Sequence, residues 1–161
     1  MIAERIATGF GLGHLPRAPG TWASAATIPL AWGLHALGGV WLMGLATLGV
    51  IGLGWWATAR IVSGHEDPSE IVIDEVAGML IALLPLSAGL TMAGADPGVW
   101  PWPGWVLGFL VFRFLDIVKP PPMNWADRCA GATGVMLDDI AAGLITAGLM
   151  VVSAGVAHGW F

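Results

Sequence analysis

An all-α, polytopic helical membrane protein with about five hydrophobic helices is the fold that this sequence predicts. Three observations carry that reading. Of the 161 residues, 57% are hydrophobic and only 11% are charged, where a soluble domain carries about a quarter charged. The apolar residues gather into five segments, at 21–37, 40–61, 76–95, 102–118 and 138–158, each near the ~20 residues that cross ~30 Å of hydrocarbon. Once those segments are threaded back and forth across a bilayer, nearly all charge falls on one side.

The elements follow in order. The opening stretch "MIAERIATGFGLGHLPRAPG" lacks the apolar core of a signal peptide and is expected to be retained. Within it, "GFGLGHLPRAPGTWAS" has four glycines and ends in Pro19-Gly20-Thr21 at a helix start. Backbone N–H groups at such a start can receive an anion. The Lys-Ser/Thr ending of a P-loop is missing, and a plain turn explains the glycines equally well. Pro29 and Gly33 interrupt the first segment, which is the least regular of the five. Short connections such as "LGG", "GADPGVWPWPG" and "KPPPMNWADRCAGATG" join the others. None resembles an interdomain linker, so residues 1–161 are read as a single domain. In the fourth segment, "FRFLDIVKPPP" sets Arg113 and Asp116 three apart on one helical face, where they can pair. The prolines at 120, 121 and 122 then stop the helix.

If each segment crosses once, the N-terminus, loop 62–75 and loop 119–137 share a side. Counting the first helical turns, that side holds all six basic residues: Arg5, Arg17, Arg60, Arg113, Lys119 and Arg128. It also holds every acid except Asp96. By the positive-inside rule this side is cytoplasmic. The tryptophans agree, with Trp22, Trp55, Trp56 and Trp125 near the inner interface and Trp41, Trp100, Trp102, Trp105 and Trp160 near the outer one. The middles of the spans are nearly bare of ionisable groups, which counts against ion or proton transport. A net charge of −5 offers no basic footprint for nucleic acid. The single cysteine, Cys129, forms no internal disulfide, and with Val135 six residues on it is no Cys-x5-Arg nucleophile. Glycine-rich spans such as "LGVIGLGWW" permit close helix packing within a chain or between chains, so the oligomeric state is open.

The chemistry is therefore expected at the inner interface, at headgroup depth. There "IDEVAGML" and "LDDIAAGL" align as two acidic pairs, Asp74-Glu75 and Asp138-Asp139, each opening an apolar helix. Capping and dipole compensation account for one carboxylate per helix, but each helix has two. Asp116 and Asp127 add more. So many carboxylates repel one another unless a cation holds them, and hard oxygen donors without a His/Cys cluster suit Mg²⁺ bridged to a phosphate. Arg113 and Lys119 can be read as snorkelling anchors; the functional reading is that Lys119, Arg128 and Arg17 clamp such a phosphate. His14 and His65 share this side but are more simply solvated loop residues. The competing interpretation is a membrane cation-binding or transporter subunit without hydrolase activity.

Four blocks in order, "TGFGLGHLPRAPGTWAS", "IVIDEVAGM", "FRFLDIVKPPPMNWADR" and "GATGVMLDDIAAG", resemble those of the phosphatidylglycerophosphatase A family, and the resemblance covers nearly the whole chain. It implies a helical, Mg²⁺-dependent phosphatase of the bacterial inner membrane with its site facing the cytoplasm. The implied reaction hydrolyses phosphatidylglycerophosphate, a phospholipid held in the bilayer, to phosphatidylglycerol and inorganic phosphate. The positions it implies are Asp74, Glu75, Asp116, Lys119, Asp138 and Asp139 for catalysis, with Asp127 and Arg128 within the third block. The residues themselves suggest Asp74, Glu75, Asp138 and Asp139 as metal ligands, and Arg17, Thr21, Lys119 and Arg128 at the substrate phosphate. The segment "SGHEDPSEI" ahead of the first acidic pair departs from the more polar, glycine-containing loops of the family, and the resemblance assigns no role to His65 or Glu66. Direct attack by water and a covalent aspartyl-phosphate are both compatible with this residue set.

Overall fold

The computed structural model describes residues 1–64, 68–126 and 128–159, and every regular element among them is helical. A short α1 (Ile2–Ala7) and a 3₁₀ turn (Gly9–His14) lead into α2 (Pro19–Thr58). Then come α3 (Ile73–Met92), α4 (Trp102–Val118), the single turn α5 (Met123–Ala126) and α6 (Ala132–Ala157). Three of these, α2, α3 and α6, are long and apolar enough to cross a membrane. His65, Glu66, Asp127 and Trp160 lie outside the described residues.

Helix α3 is the hub. Eight consecutive residues from Val76 to Leu83 are buried, as expected of a helix that is apolar all round and enclosed by others. Its backbone comes close to that of α6 where Gly78 and Gly143 meet: a Cβ on Gly143 would lie 2.4 Å from the Gly78 carbonyl oxygen. Small residues let helix backbones come this near. Phe112 of α4 fills the space beside Gly78, and Gly108 packs against Leu83 of α3 and Met150 of α6. The outward faces remain apolar, with Leu45, Leu48, Leu110, Phe114, Ile117, Leu144 and Val152 exposed, which suits a lipid environment.

The sequence suggests two separate segments, 21–37 and 40–61, where the structure has one 40-residue element broken at Gly38–Gly39. Gly39 takes φ 59° and ψ −153°, a conformation essentially restricted to glycine. Contacts along α3 give the sense of each half. Gly20 touches Glu75 at the start of α3, Gly39 touches Thr91 at its end, and Gly54 touches Ile73 back at the start. The chain therefore reverses at the glycine pair. The turn is tied down by the Val40 N–H donating to Thr91 Oγ1 (3.1 Å), and the same end by the His35–Ser87 hydrogen bond (2.8 Å). Gly104 against Leu86 and Phe112 against Gly78 show that α4 runs opposite to α3. The starts of α2, α3 and α6 and the end of α4 thus meet at one end of the bundle.

Candidate active site

Two of the four converging helix ends are shaped by unusual backbone. Ala18 caps α2 in the left-handed region (φ 47°, ψ 55°) ahead of Pro19, whose fixed φ suits a first helical position. Lys119 closes α4 in the same region (φ 46°, ψ 53°), its N–H bonded to the Leu115 carbonyl, and the three prolines follow. The αL conformation costs a non-glycine residue about 1 kcal/mol or more; here both instances flank one cavity.

That cavity, about 240 Å³, is lined by Ala18, Pro19 and Gly20 of α2 and its entry, and by Pro68, Ser69 and Ile71 of the loop before α3. Its polar wall is Asp74 and Glu75 of α3, Arg113, Asp116 and Lys119 of α4, and Asp138 and Asp139 of α6. The six positions expected to be catalytic therefore share a single cavity, although they come from three helices.

The two acidic pairs are not equivalent. Asp74 and Glu75 do lie in the first turn of α3, and Asp74 Oδ1 accepts the Glu75 N–H at 3.0 Å. Helix α6 begins at Ala132, so Asp138 and Asp139 sit well inside it rather than opening it. The small and apolar residues after Gly131 continue the helix without penalty, and Gly131, at φ 70°, provides its entry. Asp138 is buried and occupied on both oxygens: Oδ1 accepts the Asp139 N–H (3.0 Å) and Oδ2 pairs with Lys119 Nζ (2.7 Å). The carboxylates of Asp74, Glu75 and Asp139 each bring an oxygen within 4.8 Å of the others, as a metal site requires.

The donor set fits a cation. Five carboxyl groups and two cationic side chains line the cavity, a formal excess of three negative charges when all are ionised. Glu75 Oε2 is buried without a hydrogen-bond partner, and a buried carboxylate oxygen left unsatisfied is costly. An ion held by Asp74, Glu75 and Asp139 would satisfy it and offset the repulsion.

The remaining expected residues stand further out. Arg17 and Arg128 are exposed and do not line the cavity. Thr21 lies one residue beyond the lining and reaches the site through another side chain: Arg113 Nη2 donates to Thr21 Oγ1 at 3.1 Å. Arg113 Nη1 donates to Asp116, realising the pairing that their spacing suggested. Arg113 itself was legible as a partner of Asp116 and as a positive-inside anchor, and nothing local in the sequence says that it faces a cavity. Ser69 and Pro68 gave no signal at all, since only the packing of their loop brings them in.

A helical membrane protein with a carboxylate-rich, cation-edged cavity at the end of its bundle has the donor set that could hold a metal ion there. The chain belongs to the phosphatidylglycerophosphatase A family, whose model matches residues 5–154, and it is a phosphatase. It is 36% identical to phosphatidylglycerophosphatase A of Escherichia coli, over 96% of this chain and 83% of that protein. It is 34% identical to the Haemophilus influenzae protein of the same name, over 86% of this chain and 80% of that protein. A Bacteroides thetaiotaomicron protein described as a putative phosphatidylinositol-3-phosphatase is 35% identical, over 94% of this chain and 92% of its own length. No solved structure matches.

Proposed function

We propose that the chain is one integral-membrane domain that hydrolyses phosphatidylglycerophosphate to phosphatidylglycerol and inorganic phosphate with Mg²⁺, at the cytoplasmic face of the inner membrane. The observation that carries this reading is the convergence of the Asp74, Glu75 and Asp139 carboxylates within 4.8 Å, beside Lys119 and Arg113 in one cavity. Three carboxylates alone repel a phosphomonoester; three carboxylates around a divalent cation attract one. Two of the relatives carry the name of this activity.

The reversal at Gly38–Gly39 supports five crossings, with both halves of α2 spanning. The cavity then opens at the end where the basic residues gather, the cytoplasmic end by the positive-inside rule. A two-chained lipid keeps its tails among the exposed apolar faces and offers its terminal phosphate at that depth.

Asp74, Glu75 and Asp139 would hold the ion, which supplies Lewis acidity at a phosphoryl oxygen and a more acidic bound water. Lys119, steadied by Asp138, donates to the phosphate and offsets the charge that develops on it. Asp116, which lines the cavity from α4, orients the attacking water or takes its proton. Arg17 and Arg128, exposed at the same end, draw the anionic headgroup toward the cavity. The P–O bond to the lipid breaks as the water oxygen bonds to phosphorus, and the proton taken by the carboxylate passes to the departing alkoxide oxygen, so that the lipid leaves as an alcohol.

Phosphate release by the detergent-purified protein tests the proposal, with Mg²⁺ and with EDTA. Phosphatidylglycerophosphate, phosphatidic acid and phosphatidylinositol 3-phosphate are the substrates. Metal-dependent release strongest for the first is the expected result. Release strongest for the inositol lipid would transfer the headgroup assignment to that of the Bacteroides relative. No metal dependence would remove the ion from the site.

A further inference from the structure

We infer that Thr21 and Arg113 form a positioning relay for Asp116, in which the first turn of α2 sets where a carboxylate of α4 stands; the inference rests on the role proposed above for Asp116. The Arg113 guanidinium is spent on two partners: one arm donates to Asp116 and the other to Thr21 Oγ1 at 3.1 Å. The side chains of Arg113 and Asp116 are each only 14% exposed. Arg113 Nε is buried and has no hydrogen-bond partner, so the guanidinium lies wedged in protein with its fork committed. A phosphate clamp would turn those donors to the open cavity instead.

The neighbour in sequence gives the relay its purpose. Gly20, one residue before Thr21, packs directly on the Glu75 carboxylate. One helical turn therefore touches Glu75 through Gly20 and Asp116 through Thr21 and Arg113. The distance between Glu75 on α3 and Asp116 on α4 is set by a third helix. Thr21, expected from the sequence at the phosphate, acts in this arrangement through Arg113. Lysine cannot replace the arginine, because a single ammonium lacks the planar fork that serves two fixed acceptors.

Thr21→Val removes the hydroxyl while keeping the shape, and Thr21→Ser keeps the hydroxyl. The first arm needs no turnover: melting temperatures in detergent with EDTA, for Thr21→Val, Arg113→Lys and the double variant. Residues sharing an interaction are non-additive, so the double variant is expected to melt no lower than the worse single variant. Additive losses would overturn the tie, whether or not the protein releases phosphate. The second arm measures kinetics on phosphatidylglycerophosphate with saturating Mg²⁺. Thr21→Val should lower kcat by about 10- to 100-fold, as small misplacements of a reacting group do, with KM unchanged and Thr21→Ser at the wild-type rate. Added to Asp116→Asn, Thr21→Val should cause no further loss. A rise in KM at unchanged kcat would instead place Thr21 on the substrate, and a fully active Asp116→Asn would remove the relay's purpose. A wild-type protein without phosphatase activity fails the proposed function separately, and the melting arm still decides the tie.

Discussion

Gly20 of α2 lies so close to Glu75 of α3 that a Cβ built on it would stand 1.8 Å from Glu75 Oε1. No side chain fits there while the carboxylate stays in the site. The start of α2 and the Glu75 side chain from the first turn of α3 are therefore in direct contact at the cavity wall.

The first prediction follows from that contact. Gly20→Ala must push Glu75 away or lift α2, and either displaces one of the carboxylates proposed to hold the ion. Turnover is expected to fall by about 100-fold or more, the scale on which a 1 Å misplacement acts. Measured with a Mg²⁺ titration, the half-saturating concentration should rise as well. Wild-type Mg²⁺ dependence in this variant would separate Glu75 from the ion.

Removing the charge of one of those carboxylates should be more severe. Glu75→Gln and Asp139→Asn keep shape but lose charge at two of the three converging carboxylates. Each is expected to abolish phosphate release while the protein still elutes as a folded species from size exclusion. Direct Mn²⁺ binding, followed by paramagnetic resonance, should weaken in parallel. Tight binding without turnover in either variant would assign that residue to the chemistry and not to the ion.

The Lys119–Asp138 pair makes a prediction in two steps. Lys119→Gln leaves the buried Asp138 oxygen with a weaker partner than the 2.7 Å ion pair. Stability should drop by about 1–3 kcal/mol, the usual penalty for a buried polar group that loses its partner, and kcat/KM by about 100-fold. Adding Asp138→Asn should recover the melting temperature but not the rate. Recovery of both would mean that Lys119 serves Asp138 alone.

Packing at the centre of the bundle can be tested apart from catalysis. Gly143→Ala would drive a Cβ to 2.4 Å from the Gly78 carbonyl oxygen, and backbone cannot swing aside. Overpacking of this kind costs about 1–3 kcal/mol, read as a lower melting temperature in detergent. Gly148→Ala on the same helix meets nothing within 4 Å and should melt like the wild type. Equal melting of the two variants would argue against the α3–α6 crossing.

Much of the architecture was legible from residue order. Hydropathy marks where helices run, and α4 occupies the very segment 102–118 that the apolar run outlines. The Arg113–Asp116 spacing foretold their pairing, and the prolines after Lys119 foretold the end of α4. Boundaries written in charge were less reliable. Asp138 resembles a helix opening because charge meets an apolar run there, but the helix starts at Ala132, since small residues in "ATGVML" continue it without a polar signal.

The site divides in the same way. Residue types and their clustering at one interface determined, without coordinates, that carboxylates and cations would gather at one end of the bundle, because charges cannot lie in hydrocarbon. Which carboxylates converge is another matter. Asp138 and Asp139 are neighbours of one chemistry, but successive residues on a helix point about 100° apart, so Asp139 joins Asp74 and Glu75 while Asp138 pairs with Lys119. Likewise, whether Thr21 meets phosphate or Arg113 depends on how α2 packs across α4. Local sequence determines what each helix carries; only the packing of four helix ends decides which of those side chains share a cavity.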